Sequence, residues 1–409
     1  MSDAPSNRCR SARLTTRWLE PWFSAYALAG LLVNGVVPQL LPLTTDRRGP
    51  AITGLVVAAF FVGQLSAPVV GAIADRSGRQ REVFLGSFPL MALAALGFGL
   101  ADSPPWWMLT AVIAGAAAGA AQTTGSVFIV EGHPRSEWDT RIGWFRLTFG
   151  LGQVAGLAIC AAFAERHVDL AWYLAGATIL NGWYLGRMGL PRLTRKTPSA
   201  PQVSERNTGL RTALTGRFGR FLATWLLGMI AVQTILNVMP LVMRDAFTIR
   251  PSITASVYLV GSLAGALLYP VCGALANRIG AGRILAIGMS TTLLAFVVMT
   301  LAWLTHSLQR EAGVISLLLI ALAYPFAYIG GTLLAAELTS GGEGAAMGLF
   351  NSAVAMGAIV GAVVPSFLAA AFGYGSLPPL AAAVMAVGLA LGAPVLLQRG
   401  TIPRTPTRS

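Results

Sequence analysis

Nine polar side chains stand inside otherwise apolar stretches of this chain: Asn34, Gln39, Gln64, Gln122, Arg146, Gln153, Gln233, Asn237 and Asn351. Eight are amides and one is a guanidinium. Such groups donate and accept hydrogen bonds but are neither nucleophiles nor proton carriers near neutrality. Their chemistry is therefore recognition. All 16 acidic residues fall in loops or near the ends of the apolar stretches, so no deep carboxylate pair is available for acid–base work. His133, His167 and His306 lie in or beside loops, and Cys9, Cys160 and Cys272 match no metal or disulfide spacing. Gly150-Leu-Gly152-Gln-Val-Ala-Gly156 misses the dinucleotide fingerprint and follows no strand, and no phosphate-binding loop occurs elsewhere. The chain is expected to have no catalytic residue, metal or cofactor and not to be an enzyme.

One further cluster is charged. The stretch Gly71-Ala-Ile-Ala-Asp75-Arg76-Ser-Gly78-Arg79-Gln-Arg81 follows an almost charge-free run. Gly71 allows close approach of a neighbouring helix, and Gly78 permits the positive dihedral that reverses the chain. Asp75 can pair with Arg79 or Arg81 in a weak, breakable contact.

These residues must be positioned by helices. The chain is 55% hydrophobic and only 11% charged, with a mean hydropathy of +0.66. A soluble domain carries roughly 25% charged residues, so an integral membrane protein is expected. Twelve runs are long enough to cross a bilayer: 21–43, 51–73, 83–101, 106–130, 142–164, 170–189, 219–241, 253–275, 284–304, 314–336, 345–370 and 377–397. Residues 190–218, rich in proline, serine and arginine, divide them into six and six. The expected organisation is an N-terminal segment 1–20, a bundle 21–189, a linker 190–218, a bundle 219–397 and a tail 398–409. The net charge of +13 does not point to nucleic acid, because 23 of the 29 basic residues fall on the side of the termini and linker. By the positive-inside rule both termini are expected in the cytoplasm. The first run is too long for a signal-peptide core and reads as a retained helix. The arginine-rich, lysine-poor composition suits a high-GC bacterium, hence the bacterial cytoplasmic membrane.

The two halves repeat each other. Pro68-Val-Val-Gly71-Ala-Ile-Ala-Asp75-Arg76-Ser-Gly78 aligns with Pro270-Val-Cys-Gly273-Ala-Leu-Ala-Asn277-Arg278-Ile-Gly280. Gly143-Trp-Phe-Arg146 and Gly152-x-x-x-Gly156 match Gly348-Leu-Phe-Asn351 and Gly357-x-x-x-Gly361, and Glu131 matches Glu337. The second copy lacks the aspartate, so its turn is expected to be the weaker latch. Gly115-x-x-x-Gly119 and Gly152-x-x-x-Gly156 read as rows for tight helix packing.

With this duplication and the loop Gly71, Asp75, Arg76, Gly78, Arg79 between runs two and three, the chain resembles the major facilitator superfamily over about residues 20–398. The resemblance implies twelve transmembrane helices in two pseudo-symmetric bundles that rock against each other. It also implies a monomer carrying a small-molecule substrate through the lipid bilayer, with protons as the coupling ion. Spans one, four, seven and ten would line the cavity, which makes the nine deep polar residues candidate substrate contacts. Interhelical hydrogen bonding is the other reading of each. Trp106, Trp107, Trp225, Tyr258 and Tyr324 are candidate aromatic lining. Gly71, Asp75, Arg76, Gly78 and Arg79, with Glu131 and Arg141 from the next loop on that side, would form a latch holding the outward-facing state. The chain is most similar to the twelve-span drug and metabolite exporters, although Val112 and Ile113 stand where those carry an arginine, and Gln153 and Leu157 interrupt their span-five motif. The expected activity is efflux of a small, mostly hydrophobic or neutral compound; alternatives are uptake of a neutral nutrient and a non-transporting membrane receptor or scaffold.

Overall fold

The computed structural model describes residues 20–100, 102–134, 137–190, 216–338 and 343–397. Each expected run is a helix. Several begin with a proline in the first turn, as in Pro50–Gln64, Pro104–Gly132 and Pro251–Ile279, where the missing N–H costs nothing. The first six spans are Phe23–Thr45, Pro50–Ser77, Gln80–Leu100, Pro104–Gly132, Trp138–Phe163 and Val168–Arg187. The second six are Arg217–Phe247, Pro251–Ile279, Ala281–Thr305, Gln309–Glu337, Glu343–Phe372 and Leu377–Leu396. Eleven stretches are long and apolar enough to cross a membrane. Span six, 20 residues long, carries Asp169, Asn181 and Arg187 and is the more polar remaining one. Most of the expected linker, residues 191–215, lies outside the described residues.

The duplication read in the sequence is a duplication of packing. Span one packs on five and six, two on four, and three on four and six; in the second half seven packs on eleven and twelve, eight on ten, and nine on ten and twelve. Each half has its own apolar core, one built around Trp22, Phe84 and Trp172 and the other around Phe221, Trp225 and Phe296. The halves meet through span two against eleven and span five against eight.

Spans one and seven are both interrupted. Span one passes through a π-helical turn, Leu31–Val36, before resuming at Val37-Pro38. Span seven stops at Leu236 and resumes at Met239-Pro240. Asn34 sits in the first break and Asn237 in the second. Local departures of this kind re-aim side chains and recur at functional positions. Pro38 and Pro240 hold the same place, in the first turn of the resumed helix.

Small residues let the helices of each half touch backbone to backbone. A Cβ on Gly115 would fall onto the carbonyl oxygen of Phe60, and one on Gly152 onto that of Ala27. Replacing Gly152 by leucine is expected to prise span five from span one. Size-exclusion chromatography in detergent should show loss of the monodisperse peak, or a melting temperature lower by at least about 5 °C, a shift on the scale expected of overpacking in a core.

Candidate functional site

Two faces can be distinguished. Leu190, Arg217 and Leu396 lie on the linker face, and the loops holding Asp46, Glu165 and Arg244 lie on the distal face. On the linker face span two ends in the latch loop. Gly78 has φ +68° and its counterpart Gly280 φ +93°, and the Arg79 amide donates to the Ala74 carbonyl at 3.0 Å to close the turn. Gly71 is buried, and a Cβ there would meet Thr123 of span four at 3.0 Å. Arg76 is exposed, and Arg79 pairs with Glu82 at 3.6 Å rather than across the loop. Arg141 pairs with Glu137 at 2.9 Å and with Glu20, a partner sequence reasoning did not supply. The side chains of Asp75 and Glu131 lie outside the described residues.

The seal between the halves is at the opposite face. The Arg244 guanidinium donates to Asp46 at 2.8 Å, joining the end of span seven to the end of span one. Glu165, after span five, accepts a hydrogen bond of 2.6 Å from Ser252 and faces Arg250 at 3.4 Å, both at the start of span eight. Between them Gly54 of span two packs directly on Ser366 and Ala362 of span eleven. The hydrogen bond from Ser252, aided by the charge of Arg250, holds the Glu165 carboxyl below its ordinary range. No motif flagged this clasp; the only signal was opposite charge at the far ends of paired spans.

The central polar residues lie between these two faces. Arg146 is eight residues into span five, about 12 Å along it. It keeps solvent access, as does its repeat partner Asn351 on span eleven. Tyr26 of span one, Tyr269 of span eight and Tyr324 and Tyr328 of span ten lie within electrostatic range of the guanidinium. The Tyr324 and Tyr328 rings stack at 5.8 Å, and Tyr26 stacks on Phe145 at 3.6 Å. One residue of the face, Gln153, sits seven positions after Arg146 and links the halves: its amide accepts from Asn34 at 3.5 Å and donates to Ser262 of span eight at 3.1 Å. Asn237 donates to the Ala358 carbonyl at 2.9 Å, tying the break in span seven to span eleven. Gln39 is buried, with neither amide atom paired among the described residues. Gln64, Gln122 and Gln233 are half-buried.

The structure thus brings Asn34 and Gln153 together, with Arg146 two turns before Gln153 on the same face, and turns Asn237 to span eleven. Of the aromatic residues, Trp107 and Trp225 are packed inside their own halves, and the Trp106 indole donates to the Gly97 carbonyl at 2.8 Å. Only Tyr258, which faces Ser262, and Tyr324 belong to the central region. The tyrosines Tyr26, Tyr269 and Tyr328 went unnoticed because a tyrosine in an apolar run has no spacing signature.

A family model described as the Major Facilitator Superfamily matches residues 22–309 and again 221–409. The chain belongs to the major facilitator superfamily. The second match starts where the second half begins, as a duplicated architecture requires. Among solved structures the chain is similar to two crystal structures of the nucleoside transporter NupG, one of them a point mutant. The mutant gives a TM-score of 0.76 at 14% identity, covering 92% of this chain and 99% of that one. The other gives 0.71 at 14%, covering 93% and 98%. This major facilitator protein is therefore a transporter, with the family's two-bundle fold.

The distal clasp generates a prediction with a definite sign. A carboxylate whose pKa is lowered in the closed arrangement stabilises it above the ordinary glutamate value of about 4.3. That contribution is lost as the pH falls through the lower, closed-state value. Loss of an ion pair of the Asp46–Arg244 kind, worth up to about 1 kcal/mol, changes the open-to-closed ratio up to about fivefold. In a Ser366→Cys reporter, alkylation by an impermeant maleimide is expected to accelerate when Asp46→Asn and Glu165→Gln are combined. Acidification should act in the same direction in the parent through Glu165, with rates normalised to a fully exposed control cysteine because the reactive thiolate itself declines with pH.

Proposed function

We propose that this protein exports a small, mostly apolar compound from the cytoplasm of a bacterium by alternating access. It acts as a monomer in the cytoplasmic membrane, with both termini and the latch loop inside. In the arrangement described here the distal clasp is closed and Arg146 keeps solvent access. The observation that carries the substrate class is the fate of the deep amides. Three of the eight, Asn34, Gln153 and Asn237, are spent on Ser262, Ala358 and one another, and Tyr324 of span ten adds an exposed ring to the central region. A polyhydroxylated nutrient needs amides left free to read its hydroxyls; an apolar compound needs rings and space. The bundle likeness to a nucleoside transporter favours, as the second reading, uptake of a neutral nutrient.

Transport is coupled to protons, which cross on carboxylates at the span ends, Glu131 and Glu337, since no acid occupies the middle of a span. The latch of Gly71, Asp75, Arg76, Gly78 and Arg79 with Glu131 and Arg141 closes the linker face in the opposite state. The second-copy turn, with Asn277, holds less strongly.

Expression in a strain lacking its own pumps is expected to lower accumulation of a subset of apolar dyes and antibiotics, an effect abolished by a protonophore. Asp75→Asn should slow export at unchanged protein level. Unchanged accumulation of every compound would sink the export reading. Raised accumulation of a nucleoside or sugar would establish the second one.

A further inference from the structure

Arg146 has no hydrogen bond or ion pair among the described residues. Three other described arginines near span ends are neutralised: Arg141 by Glu20 and Glu137, Arg244 by Asp46 and Asp245, Arg250 by Glu165. A guanidinium stays charged at every accessible pH and presents donors in a planar fork. Its neighbours Tyr26, Tyr269, Tyr324 and Tyr328 add hydroxyls that can donate, and the Tyr26 hydroxyl is buried without a partner. The site therefore gathers one permanent cation and four phenol groups, contributed by both halves, with no counter-charge of its own. What such a set lacks is an anion.

We propose that Arg146 is the specificity-determining residue for substrate charge, and that the compound carried is a small organic anion with a single acidic group, an aromatic carboxylate or phosphate ester in type. The acidic group seats on the guanidinium, where a forked donor meets two oxygens. Its ring lies against the stacked Tyr324 and Tyr328 of the other half. Because Arg146 belongs to span five and these tyrosines to span ten, a bound anion touches both halves at once and couples occupancy to their rocking. The second copy has Asn351 at the corresponding position, so the charge is supplied from one side only. This inference rests on the transporter reading above and narrows its substrate.

The test uses full-length protein in lipid nanodiscs at constant ionic strength, with matched pairs of probes: benzoate against benzamide, and phenyl phosphate against benzyl alcohol. Dissociation constants are read from concentration-dependent thermal stabilisation. Either anion is expected to stabilise the parent protein and its neutral partner not to. Arg146→Gln should weaken anion binding about 10- to 100-fold, the worth of a charge-assisted hydrogen bond, and Arg146→Lys should restore part of it. The melting temperature of each ligand-free variant, matching the parent's, shows that folding is intact. Stabilisation by the neutral probes equal to that by the anions, full retention of anion binding in Arg146→Gln, or no response to either anion would each overturn the proposal. Failure of the transporter reading looks different: anion binding dependent on Arg146 would persist, while reconstituted vesicles showed no flux of any probe.

Discussion

Hydrocarbon offers no hydrogen-bond partner, and every other feature of this protein follows from that constraint. The backbone is helical throughout the spans because only a helix satisfies its own amides there. Charge is expelled to the two faces, where the described ion pairs cluster around Glu20, Arg141, Asp46, Arg244 and Glu165. Some amides left in the interior are bonded across helices, as Asn34 to Gln153 and Asn237 to Ala358 are. Arg146 breaks the pattern. A lone arginine costs about 2.5–3.5 kcal/mol at the centre of a span even on lenient insertion scales; Arg146 lies short of the centre and keeps solvent access, which lowers that cost.

The same constraint explains how two bundles can stay folded while moving as bodies. Within a half, helices touch through glycine at Gly115 and Gly152, so each bundle is tight. Between halves the contacts are few in kind: a mid-span amide–hydroxyl bond from Gln153 to Ser262, close packing of Gly54 on Ser366, and polar pairs at the distal rim. Rim pairs are weak because water reaches them, and weakness there is an asset in a gate that must open. The rim pairs also break the internal symmetry. Asp46 and Arg244 come from opposite halves, and on the linker face the first-copy loop has Asp75 where the second has Asn277.

Much of the architecture was legible in the residues. Hydropathy located all twelve spans, prolines marked several starts, and the repeated Gly71 and Gly273 loops carried the duplication and the family. The glycine rows of spans four and five announced close helix contact, and the structure has it. The site was less legible. Arg146 and Gln153 lie on one helical face because seven residues make two turns, but nothing in a periodic pattern tells an amide that meets substrate from one that meets its neighbour. The distal clasp joins residues some two hundred positions apart in chain order, a pairing that depends on how the halves dock rather than on any local rule.

The central claim is that the halves rock as rigid bodies about this interior, opening one face as the other closes. Pulsed electron–electron spin-resonance distances test it directly, with labels at Ser77→Cys and Asn277→Cys for the linker face and at Arg166→Cys and Thr248→Cys for the distal face, in a background lacking Cys9. Ser77, Asn277, Arg166 and Thr248 are exposed, and Cys160 and Cys272 are buried. The account predicts a long linker-face distance with a short distal one in the resting protein, and a second population in which the two exchange when the Asp46 and Glu165 contacts are removed. Distances that stay fixed at both faces, or that lengthen together, would contradict it.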